Sequence, residues 1–485
     1  MKIEIVVGKN LRKVDLIVVP VFENYNFKEI FKEYPGVEYF VEKYDFKGKI
    51  GDEIIYNSLE NKKLFLLVGA GNNTEVNNAR KLAKNLMKTL IDKKVFYILI
   101  EFIQDIKLSS EFFVNFIDYL FISHYSFDTY LSKEKKAAVE KIDIFFVHRN
   151  GLSDSIIEQR KKIAENIDMV RDMVNETPAK VNPDYMVNLS GKLAENNQLE
   201  LCVFREKELK NNDLNGILAV GRASPFEPAL IKLSYTPAQY KKTISIVGKG
   251  ITFDSGGVII KEPPFMKKMK SDMAGAAAVM GIIKAASDLK LPVKIHGIVA
   301  VAENMTGQAS YKPGDIIIFR NRKTVEVTDT DAEGRIALAD ALLFAQNDRP
   351  DYIIELSTLT GWIFVALGDI CAGLMTNDRK LADILIQCGK KTGEYLWELP
   401  MLDEYKEDIK SKIADLKNYD YHGAHSIKAG LFLTEFTGNV PFAHIDIAGT
   451  AFISDSNPFY LEAGATGFGV RLITEFLQNF TNSIP

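Results

Sequence analysis

The sequence predicts an α/β protein of two domains, a smaller N-terminal one with a mostly parallel sheet and a larger C-terminal one around a mixed central sheet. Three observations predict it. At 485 residues the chain exceeds one ordinary domain. Short runs rich in Ile, Val, Phe and Tyr alternate with helix-periodic segments in both halves, the pattern of βαβ units. One long amphipathic helix, stopped by Pro178, lies between the halves.

The elements follow in order. Within residues 1–150, Ile3–Val7, Asp15–Val21, Leu64–Val68, Phe96–Glu101 and Ile142–Val147 read as strands, and Glu75–Asp92 as a helix carrying Ala79, Leu82, Leu86 and Leu90. The glycines of residues 69–71 read as a tight strand–helix turn, demanded by sterics rather than by a phosphate. In the connecting segment 151–178, Ser155 and Glu158 fit a capping box, and Ile156, Ile163, Ile167, Val170 and Val174 form one apolar stripe. In residues 179–485, Ile244–Val247, Val293–Val301, Asp315–Phe319, Tyr352–Leu356 and Ala443–Ile447 read as buried strands, with helices Ala274–Ala286 and Ile336–Ala345 between them. Acids and glycines collect just past several of these strands, where open α/β sheets place their sites.

Composition narrows the function. A net charge of −4, with lysines interspersed among acids, gives no field that would select nucleic acid. The three cysteines, Cys202, Cys371 and Cys388, are too few and too scattered for a disulfide framework or a thiolate zinc site. No uncharged stretch approaches the ~20 residues that span a bilayer, and the N-terminus lacks the layout of a signal peptide. A soluble, cytoplasmic protein is expected.

Two segments carry unusual chemistry. Residues 247–257 (VGKGITFDSGG) precede Lys261 and residues 269–279 (MKSDMAGAAAV), and residues 327–335 read VTDTDAEGR. Together they set Asp254, Asp272, Asp331 and Glu333 beside Lys249, Lys261 and Arg335 in glycine-rich turns. Asp331 and Glu333, two apart, face one way if the backbone there is extended. Crowded carboxylates repel unless cations neutralise them, and oxygen ligation without histidine suits Mn2+, Mg2+ or Zn2+ in a paired site. Read singly, these features reduce to a helix cap, a turn and a surface ion pair; their coincidence favours a site. His422 and His425 on a polar loop read as incidental, and His296 and His444 as hydrogen-bonded core residues.

Residues 327–340 (VTDTDAEGRIALAD) are close to the signature N-T-D-A-E-G-R-L, and residues 247–279 follow the same family's metal-binding segment. On these motifs the chain resembles the leucyl aminopeptidase (cytosol aminopeptidase, M17) family of dinuclear metallopeptidases, most clearly in its C-terminal domain. The resemblance implies removal of N-terminal residues, with a leucine-like preference, from peptide substrates. It implies two divalent metal ions, Mn2+ or Zn2+: Lys249, Asp254, Asp272 and Glu333 around one, Asp254, Asp331 and Glu333 around the other. It also implies that Lys261 donates to the scissile carbonyl oxygen and that Arg335 holds a bicarbonate acting as base. Leu359 would position the substrate amine through its carbonyl, and Met269, Thr358 and Gly361 would line the first side-chain pocket. A homohexamer is the family's assembly.

Two departures stand out. Asp329 replaces the signature's Asn, adding a charge that is expected to favour basic side chains, to tighten cation binding, or to be absorbed by local hydrogen bonds. Trp362 replaces a small residue and thickens one wall near the substrate. Competing readings are a cysteinylglycine-type dipeptidase, a scaffold without activity, and a nucleic-acid-binding regulator, the last opposed by the mixed charge pattern.

Overall fold

Strands that are apolar on both faces need a covering layer on each side, and the helices between them supply it. The computed structural model describes residues 2–7, 14–23, 26–58, 63–72, 75–95, 97–102, 108–132, 141–146, 153–455, 457–460 and 462–482. Phe96 and Val147, the ends of two expected strands, lie outside them. The chain forms two units, Met1–Ala164 with Asp455–Ala463, and Glu165–Ser454 with Gly464–Pro485. Residues 455–463, read from the sequence as part of 179–485, thus group with the first unit.

The first unit holds a six-stranded sheet in the order Lys2–Val7, Lys141–Phe146, Tyr97–Ile100, Leu16–Phe22, Lys63–Gly71, Glu53–Ser58. Every pairing is parallel except the last, where Glu53–Ser58 runs antiparallel to Lys63–Gly71. All seven residues of Leu16–Phe22 are buried. Helix Val76–Lys93 turns Ala79, Leu82, Leu86 and Leu90 inward, as its periodicity predicts. Helix Ser110–Ser123 brings Phe112, Phe113 and Phe116 edge-on around Phe102. The glycines of residues 69–71 lie in the strand itself rather than in a turn beyond it. A Cβ on Gly69 would sit 1.8 Å from the Lys49 carbonyl, so Gly69 serves close backbone approach, and Gly71 takes a positive φ of 65°.

Helix Asp154–Asn175 starts one residue before the expected Ser155 cap. Ser153 supplies the cap instead, its hydroxyl accepting from the Ile156 N–H at 3.2 Å.

The second unit is built on an eight-stranded mixed sheet in the order Tyr395–Glu398, Cys371–Thr376, Phe442–Asp446, Tyr352–Ser357, Thr243–Asp254, Lys294–Asn304, Ala229–Tyr235, Glu200–Phe204. Its four central strands, from Phe442–Asp446 to Lys294–Asn304, are mutually parallel. Helix Ala274–Asp288 buries a near-continuous run of Ala, Val, Met and Ile, and Gly275 lets its first turn approach the Leu356 carbonyl, which a Cβ would meet at 2.1 Å. Every residue of helix Glu333–Ala345 is buried. The expected buried strand Asp315–Phe319 is a correction: Ile316–Ile318 is an edge of a separate three-stranded sheet, with Ile316 and Ile318 exposed. Three consecutive isoleucines give an apolar run, but alternation sends two of them to the outer face. Among the described residues, no helix is long and apolar enough to cross a membrane.

Candidate active site

The four parallel strands point their C-terminal ends the same way, and the residues there frame the site. Asn304 pairs in register with Asp254, and Ser357 with Asp446. Thr243–Asp254 runs on well beyond the level of Ser357, since Leu356 is already opposite Gly248. Lys249 and Asp254 are five apart, so a regular strand would send them to opposite faces. The register against Lys294–Asn304 shifts between Ala302 and Asn304, with three steps from Ile251 to Asp254 matched by two. That bulge inserts one residue and restores both side chains to the same side.

Helix ends complete the cluster. Asp272 follows the short turn Met269–Ser271 just before helix Ala274–Asp288, and Glu333 opens helix Glu333–Ala345. Asp331 lies in the turn before it, so the extended segment expected for Asp331 and Glu333 is not formed. Convergence there comes from a turn running into a helix. Asp254, Asp272 and Glu333 each offer a carboxylate oxygen within 4.8 Å of the others, and none is more than 5% exposed.

Two lysines balance this charge. Lys249 Nζ lies 2.7 Å from Asp272 Oδ2, 2.8 Å from Glu333 Oε1 and 3.2 Å from the Thr358 carbonyl. Gly334 leaves room for it: a Cβ there would meet Lys249 Cε at 2.5 Å. Lys261 Nζ, nearer the surface, lies 2.8 Å from Asp254 Oδ2 and also pairs with Asp331 Oδ1. Burial alone would lower both ammonium pKa values, but the surrounding carboxylates raise them above the ordinary lysine range. Burial and mutual repulsion push Asp272 well up, Glu333 up, and Asp331 up to about 7. The cluster is therefore short of positive charge. Glu333 Oε2, buried, has no hydrogen-bond donor, an arrangement suited to a cation and costly without one.

Arg335, two positions along the helix from Glu333, points elsewhere. Its Nη1 donates to the Asn418 carbonyl at 2.8 Å, its Cζ lies 5.7 Å from the centre of the Tyr419 ring, and its buried Nε has no partner. Burial lowers its pKa to about 10. Met269 and Thr358 flank Asp272: the Asp272 N–H donates to the Met269 carbonyl (3.3 Å), and Thr358 Oγ1 donates to Asp272 Oδ1 (2.8 Å). Leu359 follows in the turn after the strand, and Gly361 begins helix Gly361–Leu367.

Several further residues support the cluster with little signal in the sequence. Asn304 Nδ2 donates to Asp254 Oδ1 (2.8 Å) and to the Thr330 carbonyl (3.0 Å), and the Tyr311 hydroxyl donates to the same carbonyl (2.8 Å). Asn418, fully buried, accepts from the Thr328 and Asp329 N–H groups and donates to the Asp329 and Ala332 carbonyls, splinting the acidic turn. Asp446 grips the turn after Ser357. An Asn or Asp ending an apolar strand was the available cue, and it is a weak one.

Both oxygens of Asp329 are engaged: Oδ1 accepts from the Asp331 N–H (2.8 Å) and Oδ2 from the Tyr421 hydroxyl (3.1 Å). Trp362 stacks on His425, which stacks in turn on Tyr419. His296 bonds Ser234 and His444 bonds Glu355, as expected of core histidines. A cavity of about 900 Å3 beside Arg222, Phe226 and Asp315 is lined in part by Tyr311, whose hydroxyl donates to the Thr330 carbonyl.

Fold and site define a class: an α/β protein with a buried, cation-seeking carboxylate centre at the C-terminal edge of a parallel sheet. Comparison with known proteins makes it particular. The description "Cytosol aminopeptidase family, catalytic domain" matches residues 168–474, and "Cytosol aminopeptidase family, N-terminal domain" matches residues 18–134. The chain is 39% identical over 446 residues to a protein of Persephonella marina named "Probable cytosol aminopeptidase", covering 90% of this chain and 89% of that one. A protein of Clostridium tetani with the same name is 39% identical over 451 residues, covering 92% and 93%. Among solved structures, the bottromycin maturation enzyme BotP in complex with Mn superposes with a TM-score of 0.87 at 27% identity, covering 97% of this chain and 100% of that one. The chain belongs to the cytosol aminopeptidase family and is a peptidase of the hydrolase class.

Proposed function

We propose that this chain is a metal-dependent aminopeptidase that releases leucine-like N-terminal residues from peptides with two divalent cations, Mn2+ or Zn2+. The observation that carries this reading is the buried convergence of Asp254, Asp272 and Glu333 within 4.8 Å. Lys249, Asp254, Asp272 and Glu333 would hold one cation, and Asp254, Asp331 and Glu333 would hold the other. BotP, known in complex with Mn, supports the choice of metal. When bound, such a pair lowers the pKa of a water and polarises a carbonyl.

The chain's own groups do the rest. Lys261, 13% exposed at the rim, is placed to donate to the scissile carbonyl oxygen as negative charge develops there. Arg335, with Nε unpartnered, would hold a bicarbonate, which would supply a general base there. The Leu359 carbonyl accepts from the substrate amine, and Met269, Thr358 and Gly361 line the pocket for the first side chain. A free amine is neutral above about pH 7.7–8.0, so activity rises towards alkaline pH. The exposed Phe265, Trp362, Val365 and Trp397 support burial in an assembly, for which we take the homohexamer. A cytoplasmic location accords with this reading.

The test is activity against an aminoacyl panel, with cysteinylglycine included, after chelation and reloading with Mn2+, Zn2+ or Co2+. Leucyl substrates should be cleaved only after reloading, and Asp272→Asn should abolish both cation retention and cleavage. Full activity of the chelated protein would end the proposal.

A further inference from the structure

We propose that Asp446 is a positioning residue that aims the Leu359 carbonyl at the substrate amine; the inference rests on the aminopeptidase reading and adds to it a residue outside the presumed ligands. Asp446 ends the strand Phe442–Asp446, opposite Ser357, and is fully buried. Its Oδ1 accepts from the backbone N–H groups of Leu359 (3.1 Å), Thr360 (3.4 Å) and Ala448 (3.2 Å). Its Oδ2 accepts from Thr360 Oγ1 (2.6 Å), which also lies 2.6 Å from Ser426 Oγ.

The consequence follows from peptide geometry. In a trans peptide the carbonyl points opposite to the N–H of the next residue. With the Leu359 N–H held by Asp446, the Thr358 carbonyl must face away from it, and that carbonyl lies 3.2 Å from Lys249 Nζ. With the Thr360 N–H held by the same oxygen, the Leu359 carbonyl is likewise turned away from Asp446. Thr358 Oγ1, bonded to Asp272 Oδ1, anchors the turn from the other side. A turn clamped between a buried carboxylate and the acidic cluster presents its carbonyls in one fixed direction. An amine ligand then meets an acceptor that needs no reorganisation.

The experiment uses the full chain loaded with Mn2+ and compares wild type with Asp446→Ala, Asp446→Asn and Thr360→Val. Cation content, melting temperature, kcat and KM for leucyl-p-nitroanilide, and the inhibition constant of free L-leucine are measured for each. Asp446→Ala should raise KM and the inhibition constant roughly tenfold, the scale of a lost charge-assisted hydrogen bond, while cation content stays at the wild-type level. Asp446→Asn keeps one oxygen for the N–H groups and should recover most of that loss. Thr360→Val removes one tether and should raise both constants by a smaller factor; it carries the test alone if Asp446→Ala fails to fold. Unchanged constants in Thr360→Val and in a folded, cation-loaded Asp446→Ala would overturn the inference. So would losses that track only cation content or melting temperature, with no recovery in Asp446→Asn. Failure of loaded wild type to cleave the anilide would instead overturn the aminopeptidase reading itself.

Discussion

Gly334→Ala should inactivate the enzyme while leaving it folded. A Cβ at position 334 would lie 2.5 Å from Lys249 Cε, 2.7 Å from Nζ and 2.9 Å from Cδ. Non-bonded carbon atoms prefer about 3.5–4.0 Å, so something must move by roughly 1 Å. A lysine tip is ordinarily free to move. This one is tied to Asp272, Glu333 and the Thr358 carbonyl and is 3% exposed, so the strain passes into the carboxylate cluster. Overpacking costs about 1–3 kcal/mol, and alanine in a helix recovers up to ~1 kcal/mol relative to glycine. Net destabilisation should stay within about 2 kcal/mol, whereas a displacement of ~1 Å at the reacting groups can cost on the order of 100-fold in rate. The assay is kcat/KM on a leucyl anilide, with cation content and urea unfolding measured alongside. A variant with wild-type cation content and kcat/KM within about threefold of wild type would refute the claim that this glycine exists to seat Lys249.

Cation loading should release protons, because the ligand Lys249 is held protonated and Asp272, Asp331 and Glu333 have raised pKa values. Titration of the chelated protein with Mn2+ in indicator dye should show acidification, and affinity should strengthen as pH rises; pH-independent binding would contradict this. Asp340 is fully buried, accepts from the Ile217 N–H at 2.9 Å, and has its pKa raised by burial to about 8. The folded state therefore carries a proton that the unfolded state loses near ~4. Its stability contribution is complete at low pH and is lost as pH rises towards 8. Asp340→Asn should accordingly gain in melting temperature over wild type between pH 5 and pH 8, and a constant difference would speak against the shift. Asp329→Asn should leave the ratio of arginyl to leucyl hydrolysis unchanged, since both oxygens of Asp329 are already bonded; a lost preference for basic residues would show that its charge reaches the substrate.

Much of the site was legible because its chemistry needs unusual residues in unusual places. Asp254, Asp272, Asp331 and Glu333 stood out as acids among glycines at the ends of apolar runs, and those runs fold as the strands and helices their periodicity implied. The strand Thr243–Asp254 was harder. Only its first four or five residues look like a buried strand; Lys249 and the glycines on either side of it read as a turn, yet they are ladder-paired to Asp254. Strand propensity fails there because the sheet, not the local sequence, holds the backbone.

What the sequence determined by itself was the inventory: an α/β alternation, a clustered set of acids and lysines, and the class of chemistry they serve. These are properties of residue type and spacing. Only the tertiary structure decided which groups meet. The bulge that returns Lys249 and Asp254 to one face, the splint of Asn418 on the acidic turn, and the grip of Asp446 on Leu359 and Thr360 all join segments from about 50 to nearly 90 residues apart. Such contacts depend on strand register and helix placement, which no local pattern encodes, because a hydrogen bond is fixed by distance in space rather than by distance along the chain.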